Sequence, residues 1–424
     1  MAALNDLGEI ADFGTEQAVM PLRAVGGLER LFYRYSERFP THFSIVAEFD
    51  IALTAEQVRS ALDAVQQRHP LLAAHVDDSL THRLGFGRRE HVAPIPLRVQ
   101  ADTAWQTAAA EELSLPFEDR SAPPLMRAVL LTAPSRCALL LTFDHTIADG
   151  ISSVMVLNDL IGVLNGQALE PLPLPEALET ALARTFSTTQ NRASEPVAPD
   201  PRMCTPSATR TFDGTPPEIR GVALTEVETR RLVERCRREG TTVHAAVVTA
   251  ASRARCARVG EQFVRTMSPI NIRPLLGVGS DCADYIICTV TGLALDGASF
   301  WNQARAVSAE LTVARSAPGV IAGAQFVQDA MGDDADTATA EELFTRAVPF
   351  DLMITNLGVQ DLEPSGPIRP AALWAPVVET QVAGGIVIGL VTYGGVLRLV
   401  TSGYAPPAGF LEEVSATLRS ESAG

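Results

Sequence analysis

Along the chain, short β-branched and aromatic runs alternate with stretches whose apolar residues recur every three or four positions. The run "HFSIVAEFDIAL" (42–53) has strand composition. It leads into "TAEQVRSALDAVQQRHP", where Thr54 and Gln57 fit a capping box. Val58, Ala61, Leu62 and Val65 then share a helical face, and Pro70 stops the helix. Strands are predicted in "LLAAHV", "HVAPIPLRV" and "CALLLTF" (137–143), and a helix in "SSVMVLNDLIGVL" after Gly150. The second half opens in the same order. "GVALTEVETRRLVERCRREG" reads as strand, Thr cap and amphipathic helix, with Thr225 and Glu228 as a second capping box. Helices follow in "TTVHAAVVTAASRARCARVG" and "SFWNQARAVSAELTVARS". Strands are predicted in "FVRTMSPINIRP", "PFDLMITNLG" and "GGIVIGLVTYGGVLRLVTSGY", the last folding back at Gly394-Gly395. The acidic stretch "MGDDADTATAEE" reads as a mobile loop.

With 424 residues the chain exceeds one compact core, so two units are expected. Pro171, Pro173, Pro175, Pro196, Pro199, Pro201, Pro206 and Pro216 mark a linker over 171–216, with one helix inside it at roughly 176–188. That gives an N-terminal unit at 1–170 and a C-terminal unit at 217–424. Helices and strands mix in both, so the class is α/β or α+β.

Charge narrows the partners. A formal net charge of -16 and a pI near 4.9 disfavour nucleic acid and anionic membranes, and give no global attraction to an acidic carrier protein. The six cysteines form no C-x-x-C pair and no zinc-ligand spacing, so they read as reduced thiols in a cytoplasmic protein. "MAALNDLGEIADFG" lacks the basic and apolar regions of a signal peptide, and no run reads as a membrane span. Neither a P-loop nor a G-x-G-x-x-G opening a helix is present.

The candidate chemistry lies in "TFDHTIADGIS" (142–152). His145 follows a buried apolar run, Asp149 stands four residues on, and Gly150 follows at once. A strand end is a common place for reacting groups. A neutral imidazole suits proton abstraction from an alcohol or amine, worth about 10²–10⁴-fold. The competing reading is a structural histidine at a strand end. A metal pair of His145 with Asp149 lacks a third ligand nearby. His244, on the Ala-rich helix, reads as a core histidine, and His69, before Pro70, as a helix C-terminal residue favoured by the dipole. Arg230, Arg231, Arg235, Arg237 and Arg238 read as a solvated helix face, with docking of a carrier protein as the alternative.

"DHTIADG" resembles the HHxxxDG motif of the condensation-domain and chloramphenicol-acetyltransferase-like superfamily, closest to its free-standing polyketide-associated acyltransferases and alcohol acetyltransferases. The segments "LRAVGGLERLFYRYSERFPTHFSIVAEFD", "VQQRHPLLAAHV", "TTVHAAVVTA" and "SPINIRP" are similar to landmarks of that family, and "FDLMITNLG" stands where it carries a DFGWG-type motif. The resemblance implies two similar subdomains in a V with a central tunnel. It implies His145 as general base for a hydroxyl or amine attacking a CoA or phosphopantetheinyl thioester, with no bound cofactor and no metal. Asp149 would pair with an arginine of the second half, Arg273 in "NIRP" being the candidate, and Gly150 would leave room for the thioester arm. Asp144 replaces the first histidine of the motif. An acidic neighbour raises an imidazole pKa when close, although adjacent strand residues point to opposite faces. Thr355 or Asn356 would donate to the oxyanion, the alternative being strand-end turn residues. The acceptor is expected to be a small-molecule alcohol, an acyl carrier protein is an optional partner, and the chain is expected to act as a monomer. An amide-forming condensation enzyme and a non-catalytic scaffold that recruits a partner are the alternatives.

Overall fold

The computed structural model describes residues 19–78, 83–122, 124–186, 200–362 and 366–423. The segment read against a signal peptide, and Pro196 and Pro199 of the expected linker, lie outside the described residues.

Helices and sheets mix throughout. Both capping boxes form. The Thr54 hydroxyl accepts from the Gln57 amide at 3.2 Å, and the Gln57 side chain accepts from the Thr54 N–H at 2.9 Å. Thr225 and Glu228 repeat the exchange at 3.3 and 2.8 Å. These boxes open the helices Ala55–Arg68 and Glu226–Arg238 by satisfying N–H groups that have no partner inside the helix. Helices also form at Val243–Val259 and Phe300–Arg315, and the expected linker carries Leu178–Phe186. Gly394 and Gly395, at φ 58° and 73°, make the left-handed turn between the strands Ile386–Tyr393 and Val396–Gly403.

A six-stranded sheet runs in the order Ile286–Ala294, Phe263–Asn271, Leu352–Val359, Ile386–Tyr393, Val396–Gly403, Glu218–Leu224. Leu352–Val359 is parallel to both of its neighbours, which fits its nearly unbroken apolar start. A five-stranded sheet runs Ala372–Val378, Phe43–Phe49, Cys137–Phe143, Met126–Thr132, Leu97–Ala101. Its first strand comes from the second half of the chain and pairs antiparallel with Phe43–Phe49. Leu373, Ala375, Val377 and Val378 are all buried, so both faces of that strand need cover. The expected boundary of a unit at 217–424 therefore misses a strand lent to the other sheet.

Two further expectations change. "LLAAHV" forms a 3-10 turn, Pro70–Ala73, before the short strand His75–Asp77, because proline at the first turn position presets a helical φ. The acidic stretch expected to be a mobile loop packs instead. Asp336 caps the helix Thr337–Glu342, Asp333 pairs with Arg30 at 2.9 Å, and Ala335 is buried.

One hydrophobic cluster fills the space between the six-stranded sheet and the helices Val243–Val259 and Phe410–Ser422. A larger one joins the two halves, bringing Phe32, Phe43 and Phe143 together with Met267, Ile286 and Met353. Each large side chain fully buried there contributes about 1.5–3 kcal/mol. An exposed pair that also links the halves, Arg38–Glu341 at 3.0 Å, is worth about 1 kcal/mol or less. Apolar packing thus outweighs such exposed pairs at the junction, and it is there that the candidate site lies.

Candidate active site

The strand Cys137–Phe143 is buried along its whole length, and the turn 144–149 links it to the helix Gly150–Leu164. Asp144 turns away from the cavity. Its Oδ2 accepts from Arg120 Nε at 2.7 Å and its Oδ1 from the Thr146 N–H at 2.9 Å. Burial opposes its charge, but Arg120 and Thr146 outweigh burial and hold the carboxyl below its usual range. Asp144 thus serves a buried ion pair.

His145 points the other way, into the junction. Phe32 stacks on its ring at 3.8 Å between centroids and 13° between planes, and Phe43 tilts against it at 4.9 Å. Its Nδ1 is buried and lies 3.3 Å from Oδ1 of Asp284, without the alignment of a well-formed hydrogen bond. Burial disfavours the imidazolium, yet the contact with Asp284 and the charges of Asp284 and Asp149 outweigh it, so the imidazole pKa is raised. Asp284 responds in the same direction. Burial pushes its carboxyl up to about 7, against the pull of His145.

Asp149 caps the helix through its Oδ1, which accepts from the Ser152 N–H at 2.8 Å. Its Oδ2 accepts from Arg273 Nη1 at 2.6 Å and from the Tyr285 N–H at 2.9 Å. Arg273 Nη2 also donates to Ser152 Oγ and to the Ala283 carbonyl, at 2.8 and 2.7 Å. Burial opposes the Asp149 charge, and Arg273 leads the contacts that outweigh it, leaving the carboxyl below its usual range. Asp149 and Arg273 therefore meet in a buried pair, with side-chain exposures of 1% and 4%. Asp149 and the helix start together grip the backbone on both sides of Asp284, since Ser152 Oγ also accepts from the Ala283 N–H at 3.1 Å.

A cavity opens beside His145, walled by Phe32, Phe43 and Ile151 from the first half and by Met267, Ile286, Met353 and Leu357 from the second. Its polar edge includes Thr41, Asn271, Thr355 and Asn356. Thr355 and Asn356 thus stand on the same cavity as His145, and Asn356 Oδ1 accepts from the Gly358 N–H at 2.8 Å. Gly150 is also on the wall. A Cβ there would come 2.7 Å from Leu357 Cδ2, so a neighbouring side chain fills the space above it. A second apolar cavity shares Phe32, Met267, Ile286, Cys288 and Phe344 with the first.

Asp284 is the residue that sequence reading missed. It lies far along the chain from His145, so no local spacing links them. The available signal was an aspartate set directly before the apolar run "YIICTV". Two other histidines, His244 and His69, have structural surroundings. His244 Nε2 meets Ser268 Oγ at 2.8 Å, and burial lowers its pKa to about 4. His69 caps its helix and meets Asp159 at 2.9 Å. Among the described residues no group of three or more His, Cys, Asp or Glu is arranged to hold a metal ion, and no helix is long and apolar enough to cross a membrane.

No family model matches the sequence. Over 147 residues the chain is 35% identical to the phosphinothricin tripeptide synthetase PhsC of Streptomyces viridochromogenes, a match covering 30% of this chain and 13% of that protein. The chain thus corresponds to a small part of that relative's length. Among solved structures, polyketide synthase associated protein 5 of Mycobacterium tuberculosis superposes with a TM-score of 0.69 at 16% identity, covering 96% of this chain and 99% of its own. The first condensation domain of the CDA synthetase gives 0.65 at 15% identity, with 95% and 96% covered. The TRI3 trichothecene 15-O-acetyltransferase of Fusarium sporotrichioides gives 0.65 at 12%, with 95% and 97% covered. The chain shares its fold with these three proteins over nearly its full length.

Proposed function

We propose that this chain is an acyltransferase that moves an acyl group from a CoA or carrier-protein thioester to a hydroxyl of a small molecule, with His145 as general base. The observation that carries the reading is the setting of His145. Its Nδ1 side is closed by Asp284, its face by Phe32, and the ring lines a cavity built from both halves. The acceptor O–H proton moves to the imidazole as its oxygen attacks the thioester carbonyl. The tetrahedral intermediate then collapses, the C–S bond breaks, and the imidazolium returns the proton to the departing thiolate. Thr355 and the carboxamide nitrogen of Asn356 are the donors nearest in role to an oxyanion site, since both residues line that cavity. The apolar walls, continued by the second cavity beyond Phe32 and Phe344, suit an alkyl acyl chain rather than a charged one. Two structural neighbours, a polyketide synthase associated protein and an O-acetyltransferase, support this class.

Amide formation on a carrier-bound amine is the second reading. It is favoured by the likeness to a tripeptide synthetase and a condensation domain, and the same proton transfer serves it. The deciding experiment measures thiol release from a series of acyl-CoAs with paired alcohol and amine acceptors. Wild type should turn over one acceptor class, and His145→Ala should lose about 10²–10⁴-fold in rate. Equal rates for the two proteins would remove His145 from the mechanism.

A further inference from the structure

We propose that Asp284 is the positioning partner of His145, a carboxylate that holds the proton of the neutral ring on Nδ1 and leaves the Nε2 lone pair to act as the base. The acyl-transfer reading supplies the proton that Nε2 would take, while the pairing itself stands on geometry.

The first argument is the partner each group lacks. Asp284 is fully buried, yet neither of its carboxyl oxygens receives a well-formed hydrogen bond. A buried carboxyl left so is costly, and folded proteins retain few such groups without a reason. His145 Nδ1 is likewise buried without a well-formed bond, and 3.3 Å separates it from Asp284 Oδ1. A small turn of either side chain completes an N–H···O bond.

The second argument is that the surrounding charges are already committed. Asp149 is paired with Arg273, Asp144 with Arg120, and Glu29 with Arg23 at 2.6 Å. Burial pushes the thiols of Cys282 and Cys288 upward, which keeps them neutral. Asp284 and His145 are left facing each other.

The third argument is placement. Asp284 does not lie on a free loop. The N–H groups of Ala283 and Tyr285, on either side of it, are bound to Ser152 in the first turn of the helix Gly150–Leu164 and to its cap Asp149. Phe32 and Phe43 press on the imidazole ring, so its remaining freedom is settled in the ring plane, where Nδ1 meets Asp284. In turnover, the proton gained at Nε2 makes an imidazolium whose charge the Asp284 anion balances. The same proton then leaves with the thiolate and restores the neutral ring.

The test uses the full chain labelled with ¹³C,¹⁵N-histidine, the His145 signals being identified by their loss in His145→Gln. Wild type, Asp284→Asn and Asp284→Ala are titrated from about pH 4 to pH 9, spanning the ordinary imidazole value. The His145 midpoint should fall by about one pH unit or more in both variants, because the leading contact that opposes burial is then gone. The wild-type ¹⁵N shifts above that midpoint should place the hydrogen on Nδ1, and Asp284→Ala should lose the preference. In thioester turnover the acidic limb of kcat/KM should move to lower pH, and the plateau should drop by about 10-fold or more, the loss reaching about 10⁴ where an amide replaces a buried aspartate at Nδ1. An unchanged midpoint in either folded variant would overturn the proposal, as would an Nε2–H tautomer in wild type. Wild type that turns over no acyl thioester would sink the acyl-transfer reading and leave the titration result standing.

Discussion

Two buried carboxylates flank the same short turn and differ in nearly every respect. Asp149 receives three hydrogen bonds, from Arg273, Ser152 and Tyr285, and its charge is neutralised. Asp284 is just as deeply buried, receives none of good geometry, and faces an imidazole. On the proposed reading, the difference separates scaffold from chemistry. A fully satisfied ion pair fixes the position of a loop and changes protonation only below the ordinary carboxylate range. An unsatisfied carboxyl beside a histidine titrates near neutrality, where a proton can be taken and returned. One stretch of backbone, 283–285, serves both ends, since the N–H that satisfies Asp149 also aims Asp284.

The largest effect should come from breaking the satisfied pair. Asp149→Ala strands the Arg273 guanidinium, which is 4% exposed, and removes a helix cap. The loss of stability should be about 3–5 kcal/mol, read from the shift in the midpoint of chemical unfolding. Arg273→Met made together with Asp149→Ala should recover part of it, because no buried charge is then left alone. A loss below about 1 kcal/mol for Asp149→Ala would show that this pair is no scaffold.

A smaller effect, and a sharper contrast, should appear in the pH dependence of stability. The folded pKa of Asp149 is lowered, so its contribution is present above the unfolded value of about 4 and is lost as pH falls through the folded one. Asp284 has the opposite sign. With a folded value of about 7, its contribution is full below about pH 4 and is lost as pH rises through neutrality. The raised imidazole of His145 follows Asp284, contributing below its unfolded value of about 6.5 and losing that contribution as pH climbs past the folded one. Thermal unfolding of Asp149→Asn and Asp284→Asn across this range should therefore diverge. Asp149→Asn should be weakest against wild type at neutral pH and should approach it in acid. Asp284→Asn should match wild type near pH 4, the ordinary carboxylate value, and gain on it toward pH 8. Parallel curves for the two variants would erase the distinction between the carboxylates.

The scaffold was the legible part of this arrangement. Capping boxes at Thr54 and Thr225 are local signals, and both form because they depend on residues three apart. The helix after Gly150 and the hairpin at Gly394-Gly395 follow from the same kind of short-range chemistry. Arg273 entered through a family likeness in "NIRP", not through any spacing. What stayed hidden depends on contacts across the chain. Asp284 meets His145 only after two strands from different halves converge. Arg120 meets Asp144 in the same non-local way. The strand Ala372–Val378 carries an ordinary apolar pattern that does not say which sheet edge it will cover. The acidic stretch near Asp336 was misread because its negative charge is obvious in sequence, whereas the cap and the Arg30 pair that order it are not.

The smallest effect tests whether the turn can change chemically without losing the scaffold. Gly150 follows Asp149 and opens the helix, where its backbone has no left-handed angle to forbid a side chain. Alanine also favours the helix over glycine. The obstacle is one contact, 2.7 Å from the added Cβ to the tip of Leu357, and a leucine tip on a cavity wall can swing aside. Gly150→Ala should therefore change stability by about 1 kcal/mol or less, since the cap and the Arg273 pair stay intact. Its consequence should fall on the cavity, where a displaced Leu357 narrows the space beside His145. KM for the acyl donor should rise more than kcat falls, and Leu357→Ala in the same chain should reverse the rise. A stability loss as large as that of Asp149→Ala would mean that the turn is held by close packing at Gly150 as firmly as by its ion pair. The carboxylate would then no longer be the element that keeps His145 in place.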